Sequence, residues 1–565
     1  MKKLLMSLAV VVLFFACTAV SAGAVENNTV KVGLRYGSSA LFSANLENAV
    51  GAGYEVGYYD GSRTFRSLGY LDETTISMTA AGTIYMNSAG TYSASVPSGS
   101  YRTLGAWHGE VGSFASFAEA AAAARQYSGG YPAWIDGTYV VRVGCVGSRA
   151  EAEMLLRDAG VRGSAVQSSS TGVMVTVTGT TEVLFEFDCA GIWNLGVLPD
   201  GQGSEAVTWF KGCRYLGGFE YPRTTGGSLS VINVVDLEQY VRGVVPYEMP
   251  GTWSLEALKA QAVCARTFVC RESKHLASYG FDVCAGIDCQ VYSGAGNSSN
   301  SPTAATDRAV RETAGECIYY NGSLIEAVYH SSDGGATEDA KNVWGGDVGY
   351  LKGKMDPYEA QTSIPNYTYT VTYTYDQLTW VLQNSGYSIG TVCDVYVAER
   401  SALGNVTRVV FTDTSGKKLT VTGQACSNAF YSTTLGKNVR SLRFTISGGS
   451  GEVSGGAGGY VVNGTTVLGD LTGAAVISGS GTLGTLKSGS HSAITASGTE
   501  TLAPASGTSG TTGTTTVPSG SGITITGTGN GHNVGMSQYG AKAMAELGYD
   551  YRDILTFYYT DVTIQ

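Results

Sequence analysis

Glu248 is the residue whose surroundings most directly indicate catalysis. It lies in the stretch PYEMPGTWSLEALKAQA, where Pro246 and Pro250 restrict the backbone on either side of it. Burial by Met249 and Trp253 raises the pKa of such a carboxyl group, whereas the start of the next helix favours its charged form. A carboxyl group under these opposing influences can act as a general acid near neutral pH. The pattern alone favours a buried or helix-end charge without catalytic function over a catalytic acid.

The helix predicted after this turn carries further polar candidates. Ser254 suits its N-cap. Lys259 and Arg266 are seven residues apart and so share one face, whereas Gln261 points elsewhere. Either cation can orient the Glu248 carboxylate or bind a carboxylate of a substrate. A structural ion pair is the alternative for each of them.

A second group of residues has the spacing of a metal site. The stretch FDVCAGIDCQ places Cys284 and Cys289 close enough to bind one ion, with His275 upstream. Zinc there is predicted to be structural, because no pattern of a catalytic zinc site accompanies it. The alternatives are a disulfide between the two cysteines, or free thiols.

The length, net charge and cysteine content of the chain limit the classes of protein to which it can belong. The chain has 565 residues, enough for several domains. Residues 1–24 read as a secretory signal peptide, since two lysines precede a short apolar run and a small-residue cleavage site. Its removal leaves 33 basic and 46 acidic residues, a net charge of −13. This charge argues against nucleic acid as a partner, because binding phosphates needs basic clusters. Ten of the eleven cysteines remain, and export permits them to form disulfides.

The chain is predicted to be a multi-domain α+β protein. Residues 28–105 read as a β-rich module, because short apolar runs alternate with glycine. Residues 228–446 contain mixed helices and strands, and residues 447–520 are a Gly/Ser/Thr-rich insertion or linker. Residues 521–565 resume a specific pattern, with one helix capped by Ser537 and a second capped by Asp550.

An internal repeat occupies residues 106–185. VGSFASFAEA aligns with VGCVGSRAEA, and each copy starts a helix with a Ser and a Glu three residues later, Ser116 with Glu119 and Ser148 with Glu151. This β–α–β cadence resembles the SPOR-type repeat, which implies binding to bare glycan strands of the bacterial wall. The alternative is a small α+β spacer.

Three longer runs resemble the stage II sporulation protein D family, also called the SpoIID/LytB domain. They are NVVDLEQYVRGVVPYEMPGTWSLEALKAQAVCARTF, IEAVYHSSDGGATEDAKNVWGG and GHNVGMSQYGAKAMAELGYDYRDILTFYYT. They follow the family order over about residues 230–565, interrupted by the Gly/Ser/Thr-rich insertion. The chain departs from the usual pattern at Asp333, where Ser is common, and at Asn533, where Gly is common. We expect the last run to fold back into the site of the first.

The resemblance implies roles for particular residues. It makes Glu248 the acid/base and makes Lys259, Gln261 and Arg266 polar residues needed for activity. Substrate binding is expected at the six residues of the later runs, His330, Ser331, His532, Ser537, Gln538 and Tyr539. Some family members bind zinc with a His just before the second cysteine, where this chain has Asp288, a rarer zinc ligand.

The function implied is that of a secreted, wall-associated lytic transglycosylase, active in sporulation or in wall remodelling. Such an enzyme cleaves peptidoglycan strands and leaves 1,6-anhydro-N-acetylmuramic acid ends, with one carboxyl group and no cofactor in the chemistry. Its expected partners are glycan strands, intact or stripped of stem peptides. One alternative is a non-catalytic glycan binder that modifies a wall amidase, and another is a structural surface protein. The sequence leaves the oligomeric state open.

Overall fold

The computed structural model describes residues 28–271, 273–449 and 522–565, together with short strands between residues 460 and 501. The predicted signal peptide at residues 1–24 lies outside the described residues, as does most of the predicted linker at 447–520. Of the helices described, none combines the length and hydrophobicity that crossing a lipid bilayer requires.

The strands follow one another closely through the first half of the chain. They are β1 (Thr29–Arg35), β2 (Ser43–Val50), β3 (Gly53–Tyr59), β4 (Phe65–Leu71), β5 (Thr75–Ala80), β6 (Ile84–Asn87), β7 (Tyr92–Ser93), β8 (Tyr101–Leu104), β9 (Trp107–Phe114), β10 (Gly130–Ile135), β11 (Thr138–Val146), β12 (Ser164–Gln167), β13 (Val173–Val177), β14 (Val183–Asp188), β15 (Leu195–Asp200), β16 (Val207–Phe210), β17 (Cys213–Tyr215), β18 (Gly218–Tyr221), β19 (Val231–Asp236), β20 (Val283–Cys284) and β21 (Gly296–Asn297).

The strands of the second half are shorter and form smaller sheets. They are β22 (Ile318–Tyr320), β23 (Ser323–Leu324), β24 (Tyr329–His330), β25 (Thr368–Thr374), β26 (Val392–Arg400), β27 (Val406–Asp413), β28 (Lys418–Thr422), β29 (Phe444–Ser447), β30 (Tyr460–Val462), β31 (Thr466–Leu468), β32 (Ala475–Ile477), β33 (Leu483–Thr485), β34 (Ser492–Thr495), β35 (Gly498–Thr501), β36 (Gly522–Thr528), β37 (Met536–Ser537) and β38 (Thr563–Ile564).

The helices are α1 (Phe117–Ala124), α2 (Arg149–Asp158), α3 (Leu237–Arg242), α4 (Val245–Glu248), α5 (Leu255–Arg271), α6 (Leu276–Tyr279), α7 (Ala304–Glu312), α8 (Ala340–Trp344), α9 (Tyr375–Asn384), α10 (Ala425–Asn428), α11 (Gln538–Glu546) and α12 (Tyr551–Tyr558). Helices and several separate sheets in one chain confirm the α+β prediction.

Two large sheets cross the module boundaries predicted from the sequence. One has the order β20-β1-β19-β18-β15-β3-β4, and the other has the order β12-β9-β11-β10-β14-β13-β5-β2-β16-β17-β21. Strand β1 pairs antiparallel with β19 and parallel with β20, so the first strand of the described chain lies beside the segment that holds Glu248. Strands of residues 28–105 and of residues 106–185 therefore share one sheet, while the division of the chain into modules stays a prediction.

Strand β1 pairs with distant strands because both of its edges are buried and need hydrogen-bonding partners. Val30 and Val32 of β1 are fully buried, so this strand packs inside the molecule and needs hydrogen-bonding neighbours on both sides. Those neighbours come from distant parts of the sequence. One hydrophobic core extends from Val30 to Tyr559 and includes α3, α5 and α12.

The last segment returns to the body of the protein after the insertion. Strand β36 is the central strand between β25 and β29, β37 pairs in parallel with β24, and β38 pairs with β22. Ser537 caps α11 and Asp550 caps α12, as predicted from the sequence. These pairings bring the Gln538 end of α11 to the helices around Glu248, which confirms the expected return of this segment.

Candidate active site

Glu248 is the last residue of α4, a one-turn helix between α3 and α5. Pro246 lies in its first turn, where the missing N–H costs nothing. Met249 is extended, with φ −131° and ψ 133°, as expected for a residue before Pro250. The sequence predicted a stiff turn at this point, and the structure adds that the turn is helical. The two prolines thus fix the direction of the Glu248 side chain.

The Glu248 carboxyl group is held from three sides. Its Oε1 accepts a hydrogen bond from the Val291 N–H at 3.0 Å, and its Oε2 accepts one from the Gln538 side-chain amide at 3.3 Å. The Tyr329 hydroxyl is the third donor. Burial raises the pKa of Glu248, and the three donors only partly oppose this effect. A carboxyl group in this state can carry a proton at higher pH than an exposed glutamic acid.

The carboxyl group opens into a cleft of about 550 Å³. The other residues that line the cleft are Phe268, Lys274, Ile287, Asp288, Cys289, Gln290, Val291, Glu326, Val328, Tyr329, His330, Ser331, Trp344, His532 and Gln538. Both aromatic side chains and hydrogen-bonding groups line these walls. This mixture suits a ligand such as a sugar chain, which presents both apolar ring faces and hydroxyl groups.

His330 and His532 line the cleft as neutral side chains. The His532 Nε2–H donates to the Tyr329 carbonyl at 3.0 Å, while its Nδ1 accepts from the Val534 N–H at 3.2 Å. These two bonds fix a neutral tautomer, and burial lowers the pKa of His532 to about 4. Burial, with a contribution from His532, also lowers the pKa of His330, whose Nδ1 lies 3.1 Å from the Val534 carbonyl. The pair therefore offers ring surface but no positive charge, and of its four ring nitrogens only the His330 Nε2 has no partner among the described residues.

Of the other three predicted residues of the last run, Gln538 lines the cleft, whereas Ser537 and Tyr539 lie behind it. Gln538 touches Glu248, whereas Ser537 is fully buried and caps α11 by accepting from the Gly540 N–H at 3.1 Å. Tyr539 donates its N–H to the Ser331 carbonyl and packs its ring 4.9 Å from that of Trp253. Ser537 and Tyr539 therefore support the cleft residues and do not themselves line the cleft, while substrate binding by them stays a prediction.

Lys259 and Arg266 do not reach Glu248. The Lys259 ammonium pairs with Glu256 and Glu312, both at 2.9 Å. Arg266 has no exposed surface and forms two hydrogen bonds to Glu238, at 2.7 and 2.8 Å. The shared helix face was predicted correctly, but it faces α7 and the chain around Glu316, away from the cleft. Both cations form ion pairs away from the cleft, and their assignment as catalytic residues stays a prediction.

Gln261 supports the site from behind. It is fully buried on another face of α5, and its Oε1 accepts from the Gln538 side-chain amide at 3.3 Å. The same amide group reaches Glu248, so Gln261 orients the residue that contacts the carboxyl group. Gln261 is therefore a positioning residue.

Two partners of Glu248 were not singled out from the sequence. Tyr329 precedes His330 in the run AVYHSSDGG, so its neighbours were a usable signal. Its hydroxyl also accepts from Gln290 at 3.2 Å. Val291 contributes a backbone N–H, and a backbone donor leaves no trace in the residue type.

The predicted metal ligands come together, and Asp288 joins them. Ligand atoms of His275, Cys284, Asp288 and Cys289 all lie within 4.8 Å of one another. Two sulfurs, an imidazole and a carboxylate suit the tetrahedral coordination of zinc. A hydrogen bond from Cys289 lowers the pKa of Cys284 to about 5, so Cys284 is the thiolate that a metal needs. Both cysteines are free thiols in the structure.

The loop that bears these ligands continues into the site. Cys289 and Asp288 line the cleft, and Val291, two residues beyond Cys289, donates to Glu248. A metal ion bound here would therefore fix the backbone donor of the candidate acid without touching it.

Three buried carboxyl groups lie behind the cleft, on Asp333, Asp356 and Glu359. They are 0%, 4% and 2% exposed, and one oxygen of each lies within 4.8 Å of the others. Burial raises the pKa of all three, and neighbouring negative charge adds to the effect at Asp333 and Glu359. The pKa of Glu359 rises to about 7, first by burial and then by Asp356. Among the described residues none donates to the Asp333 Oδ2, so this oxygen is placed to share a proton with Asp356.

Glu359 organises the segment around it. Four donors reach its carboxyl group, namely the N–H groups of Asp333 and Gly334 and the hydroxyls of Ser332 and Ser537. They occupy the acceptor positions of a carboxylate, so this cluster is better suited to hold protons than a metal ion. Because Ser537 begins α11, Glu359 links the HSSDGG loop to the helix that carries Gln538.

We expect Asp333→Asn to stabilise the protein at neutral and alkaline pH. A carboxyl group with a raised folded-state pKa contributes stability at low pH that is lost as pH rises through that pKa. Asparagine cannot ionise, and its amide can donate to Asp356. The free energy of unfolding at pH 8 should rise by about 1 kcal/mol, and the difference should vanish below about pH 4. Urea titrations across this range measure it, with exposed Asp347→Asn as control. A variant less stable than the wild type at pH 8 would contradict the shared-proton interpretation.

The conformation of Asn533 explains why asparagine is accepted at a position where glycine is common in the family. Its φ is +65°, in the left-handed region where glycine is favoured and asparagine is tolerated. Its amide donates to the Asp333 carbonyl at 2.6 Å, and its Oδ1 accepts from the Leu442 N–H at 3.1 Å. The asparagine thus adopts the glycine conformation and adds bonds that a glycine cannot form.

Comparison with known sequences finds a family match in the segment that contains Glu248. Residues 225–320 match the sequence profile of the Stage II sporulation protein family, SpoIID. This segment contains Glu248, α5 and the loop with the candidate metal ligands. The profile therefore covers the acid and its backbone donor Val291, while the residues that complete the cleft come from later in the chain.

Curated relatives extend the similarity beyond this segment. The chain is 33% identical over 330 residues to the amidase enhancer of Bacillus subtilis, an alignment that covers 57% of this chain and 40% of that protein. It is 37% identical over 151 residues to stage II sporulation protein D of Bacillus subtilis, covering 25% of this chain and 43% of that one. An uncharacterised protein of Brachyspira hyodysenteriae is 29% identical over 379 residues, or 66% and 77% of the two chains. The chain thus spans less than half of the two Bacillus proteins.

Proposed function

Since the chain belongs to the stage II sporulation protein D family, we propose that it is a cell-wall enzyme, a lytic transglycosylase that cleaves peptidoglycan glycan strands. The observation that carries this proposal is the Glu248 carboxyl group, buried at the edge of a sugar-sized cleft and held by Val291, Tyr329 and Gln538. Its raised pKa suits a general acid. The role is in sporulation or in wall remodelling.

The proposed reaction uses Glu248 twice. In the first step the carboxyl group protonates the oxygen of the bond between N-acetylmuramic acid and N-acetylglucosamine, and that bond breaks. The 2-acetamido group of the muramic acid stabilises the cationic centre at C1. The Glu248 carboxylate then removes the proton from the C6 hydroxyl as this oxygen attacks C1. The product has a 1,6-anhydro end, no water is consumed, and Glu248 is protonated again.

The surrounding residues position the carboxyl group and the strand. Tyr329 and Gln538 donate to the carboxylate that forms after the first step, and Gln261 orients Gln538. The neutral His330 and His532 offer ring surface to the sugars along the cleft, and the His330 Nε2 is the ring nitrogen left to accept a hydrogen bond. This division leaves the acid/base chemistry to Glu248 alone, in contrast to glycosidases that use two carboxylates.

The proposal places the protein outside the cytoplasm, at the wall. The predicted signal peptide at residues 1–24 supports this location. We also assign a glycan-binding role to residues 106–185, on the resemblance to the SPOR-type repeat.

A second candidate function is a non-catalytic modifier of a wall amidase. The similarity to the amidase enhancer favours it, because that relative is named for an effect on another enzyme. Incubation of glycan strands with this protein, with an amidase and with both separates the two functions. New glycan ends with this protein alone support the enzyme. Faster peptide release by the amidase, without any new glycan ends, supports the modifier.

Tyr329→Phe should shift the pH dependence of cleavage. The phenol donates to the ionised form of Glu248 and so lowers its pKa, and without this bond the pKa rises further. The first step needs protonated Glu248, so activity falls as pH rises through this pKa. We expect the alkaline limb of the pH–rate profile to move to higher pH in the variant, with a lower maximum rate because the carboxylate loses a donor.

The pH–rate profile of Tyr539→Phe serves as the control, since Tyr539 contacts the site through its backbone. An unchanged alkaline limb in Tyr329→Phe would separate Tyr329 from the titration of Glu248.

Zinc is the cofactor that we assign to His275, Cys284, Asp288 and Cys289, with a structural role. It would supply a fixed anchor for the loop that carries Val291. We expect about one zinc per chain in the wild type, none in Cys289→Ser, and a lower melting temperature in that variant. Cys393→Ser lies outside the cluster and should keep the metal. Equal zinc content in both variants, measured by mass spectrometry of the metal, would overturn the assignment.

A further inference from the structure

Two thiols that the proposed function does not use face each other near the end of α5. Cys270 lies in the last turn of this helix, and Cys317 directly precedes β22. Their side chains are hydrogen-bonded to each other, and both are free thiols in the structure. Cys317 is 5% exposed, whereas Cys270 is half-buried.

Backbone contacts independently fix these two positions. The Arg266 Nη1 donates to the Glu316 carbonyl at 3.1 Å, and the Ile318 N–H donates to the Thr267 hydroxyl at 2.9 Å. These contacts align residues 266 and 267 of α5 with residues 316 and 318, on either side of Cys317. Cys270 is one turn further along the same helix face. The two sulfurs are therefore neighbours because of the fold.

The surroundings of this pair differ from those of the candidate zinc site. Cys284 and Cys289 have an imidazole and a carboxylate within ligand distance, whereas no such group of three or more ligands includes Cys270 or Cys317 among the described residues. Two adjacent thiols without further ligands suit a covalent bond better than a metal ion.

We propose that Cys270 and Cys317 form a disulfide in the exported protein. This proposal rests on the extracytoplasmic location given under the proposed function, because thiols stay reduced in the cytoplasm. The bond joins α5, which carries Gln261, to β22, which pairs with the C-terminal strand β38. It closes a loop that contains the candidate zinc ligands and Val291.

Oxidation follows thiol–disulfide exchange with an extracytoplasmic disulfide, either a protein thiol oxidase or a small-molecule disulfide. Hydrogen bonding from Cys270 and the nearby Arg266 charge lower the pKa of Cys317, which favours the Cys317 thiolate as the attacking group. This thiolate attacks a sulfur of the oxidant, forms a mixed disulfide and releases one thiol. Cys270 then loses its proton, attacks the Cys317 sulfur and displaces the second thiol of the oxidant. Two protein thiols are thus oxidised and one disulfide is reduced to two thiols.

The test maps the cysteines of the full chain after export. Free thiols are alkylated in denaturant without reduction, and the peptides are analysed by mass spectrometry. We expect one cross-linked peptide pair that contains Cys270 and Cys317, with Cys284 and Cys289 alkylated once zinc is chelated. Alkylation of both Cys270 and Cys317, or a bond from either to another cysteine, would overturn the proposal.

A second readout compares melting temperatures with and without a phosphine reductant, which does not compete for zinc. The reductant should lower the melting temperature of the wild type by about 5 °C or more, since it opens a long loop. Cys270→Ser and Cys317→Ser should melt at the lower temperature and be insensitive to the reductant. Cys426→Ser should keep the response of the wild type, because Cys426 is buried beside the Val421 carbonyl. A wild type that is insensitive to the reductant would count against the bond.

Peptide mapping does not depend on glycan cleavage. A cross-linked but inactive protein would overturn the proposed enzyme and leave this inference intact. A protein that cleaves glycan while both thiols are free would overturn this inference and leave the proposed enzyme intact.

Discussion

Glu248→Gln should lower the rate of glycan cleavage by about 10²–10⁴-fold, the usual contribution of a general acid/base. Glutamine fits the same space and can still contact Gln538, but it carries no proton for the glycosidic oxygen and accepts none from the C6 hydroxyl. The measurement is the initial rate at which new ends form on peptide-stripped glycan strands. Binding of the strands should remain, because the cleft walls are unchanged.

Two controls make this result specific. Glu399→Gln changes an exposed carboxylate that pairs with Arg408, and it should cleave at the rate of the wild type. The melting temperature of Glu248→Gln should lie close to that of the wild type, or above it, since burial already disfavours the charged carboxylate. A variant that folds and cleaves at the rate of the wild type would show that Glu248 is not the acid.

Arg266→Met should lower the free energy of unfolding by about 2–4 kcal/mol, a large effect for a residue remote from the cleft. The guanidinium has no exposed surface, and its loss leaves the carbonyls of Glu316 and Val310 without this donor. Glu238 is 34% exposed on its side chain, so water partly compensates for its lost partner. Urea unfolding of the two proteins measures the difference.

The activity of Arg266→Met separates support of the fold from catalysis. At a temperature where the variant is fully folded, its cleavage rate should lie within about threefold of the wild type, since the residue does not touch Glu248. Exposed Arg308→Met, on the neighbouring helix α7, should change stability by less than about 0.5 kcal/mol. If Arg266→Met has the stability of the wild type but no activity, that result would support the predicted catalytic role of this residue.

Local patterns in the sequence predicted local structure well. Ser537 and Asp550 cap the helices predicted after them, and Ser148 with Glu151 forms the predicted capping box. These motifs act through hydrogen bonds between residues two or three positions apart, so the sequence contains both partners. The nearness of Cys284 and Cys289 was predictable in a similar way, since only four residues separate them, whereas metal binding by them stays a prediction.

Contacts between distant segments were harder to predict. The periodicity of α5 placed Lys259 and Arg266 on one face and Gln261 on another, but it could not tell which face the cleft would occupy. That choice depends on where α7 and α11 pack. The family resemblance gave Gln538 as a site residue, and the structure supplies its contacts with Glu248 and Gln261.

The pairing of strands across the predicted domain boundaries was also not predictable from the local sequence. The alternation of Val30 and Val32 predicted a strand, yet nothing in β1 itself specifies β19 as its neighbour, about 200 residues later. Strand partners are chosen by burial of the whole sheet. Similarly, Val291 donates through its backbone, so only the folded loop reveals its role at Glu248.

The most direct test of the central claim is the mass of the new glycan ends formed in water labelled with oxygen-18. We predict that the wild-type protein produces 1,6-anhydro ends that carry no label and are one water lighter than hydrolysis products, and that Glu248→Gln produces none. Intact and peptide-stripped strands are both tested. Labelled ends would indicate hydrolysis, and unchanged strands from both substrates would show that this protein does not cleave glycan.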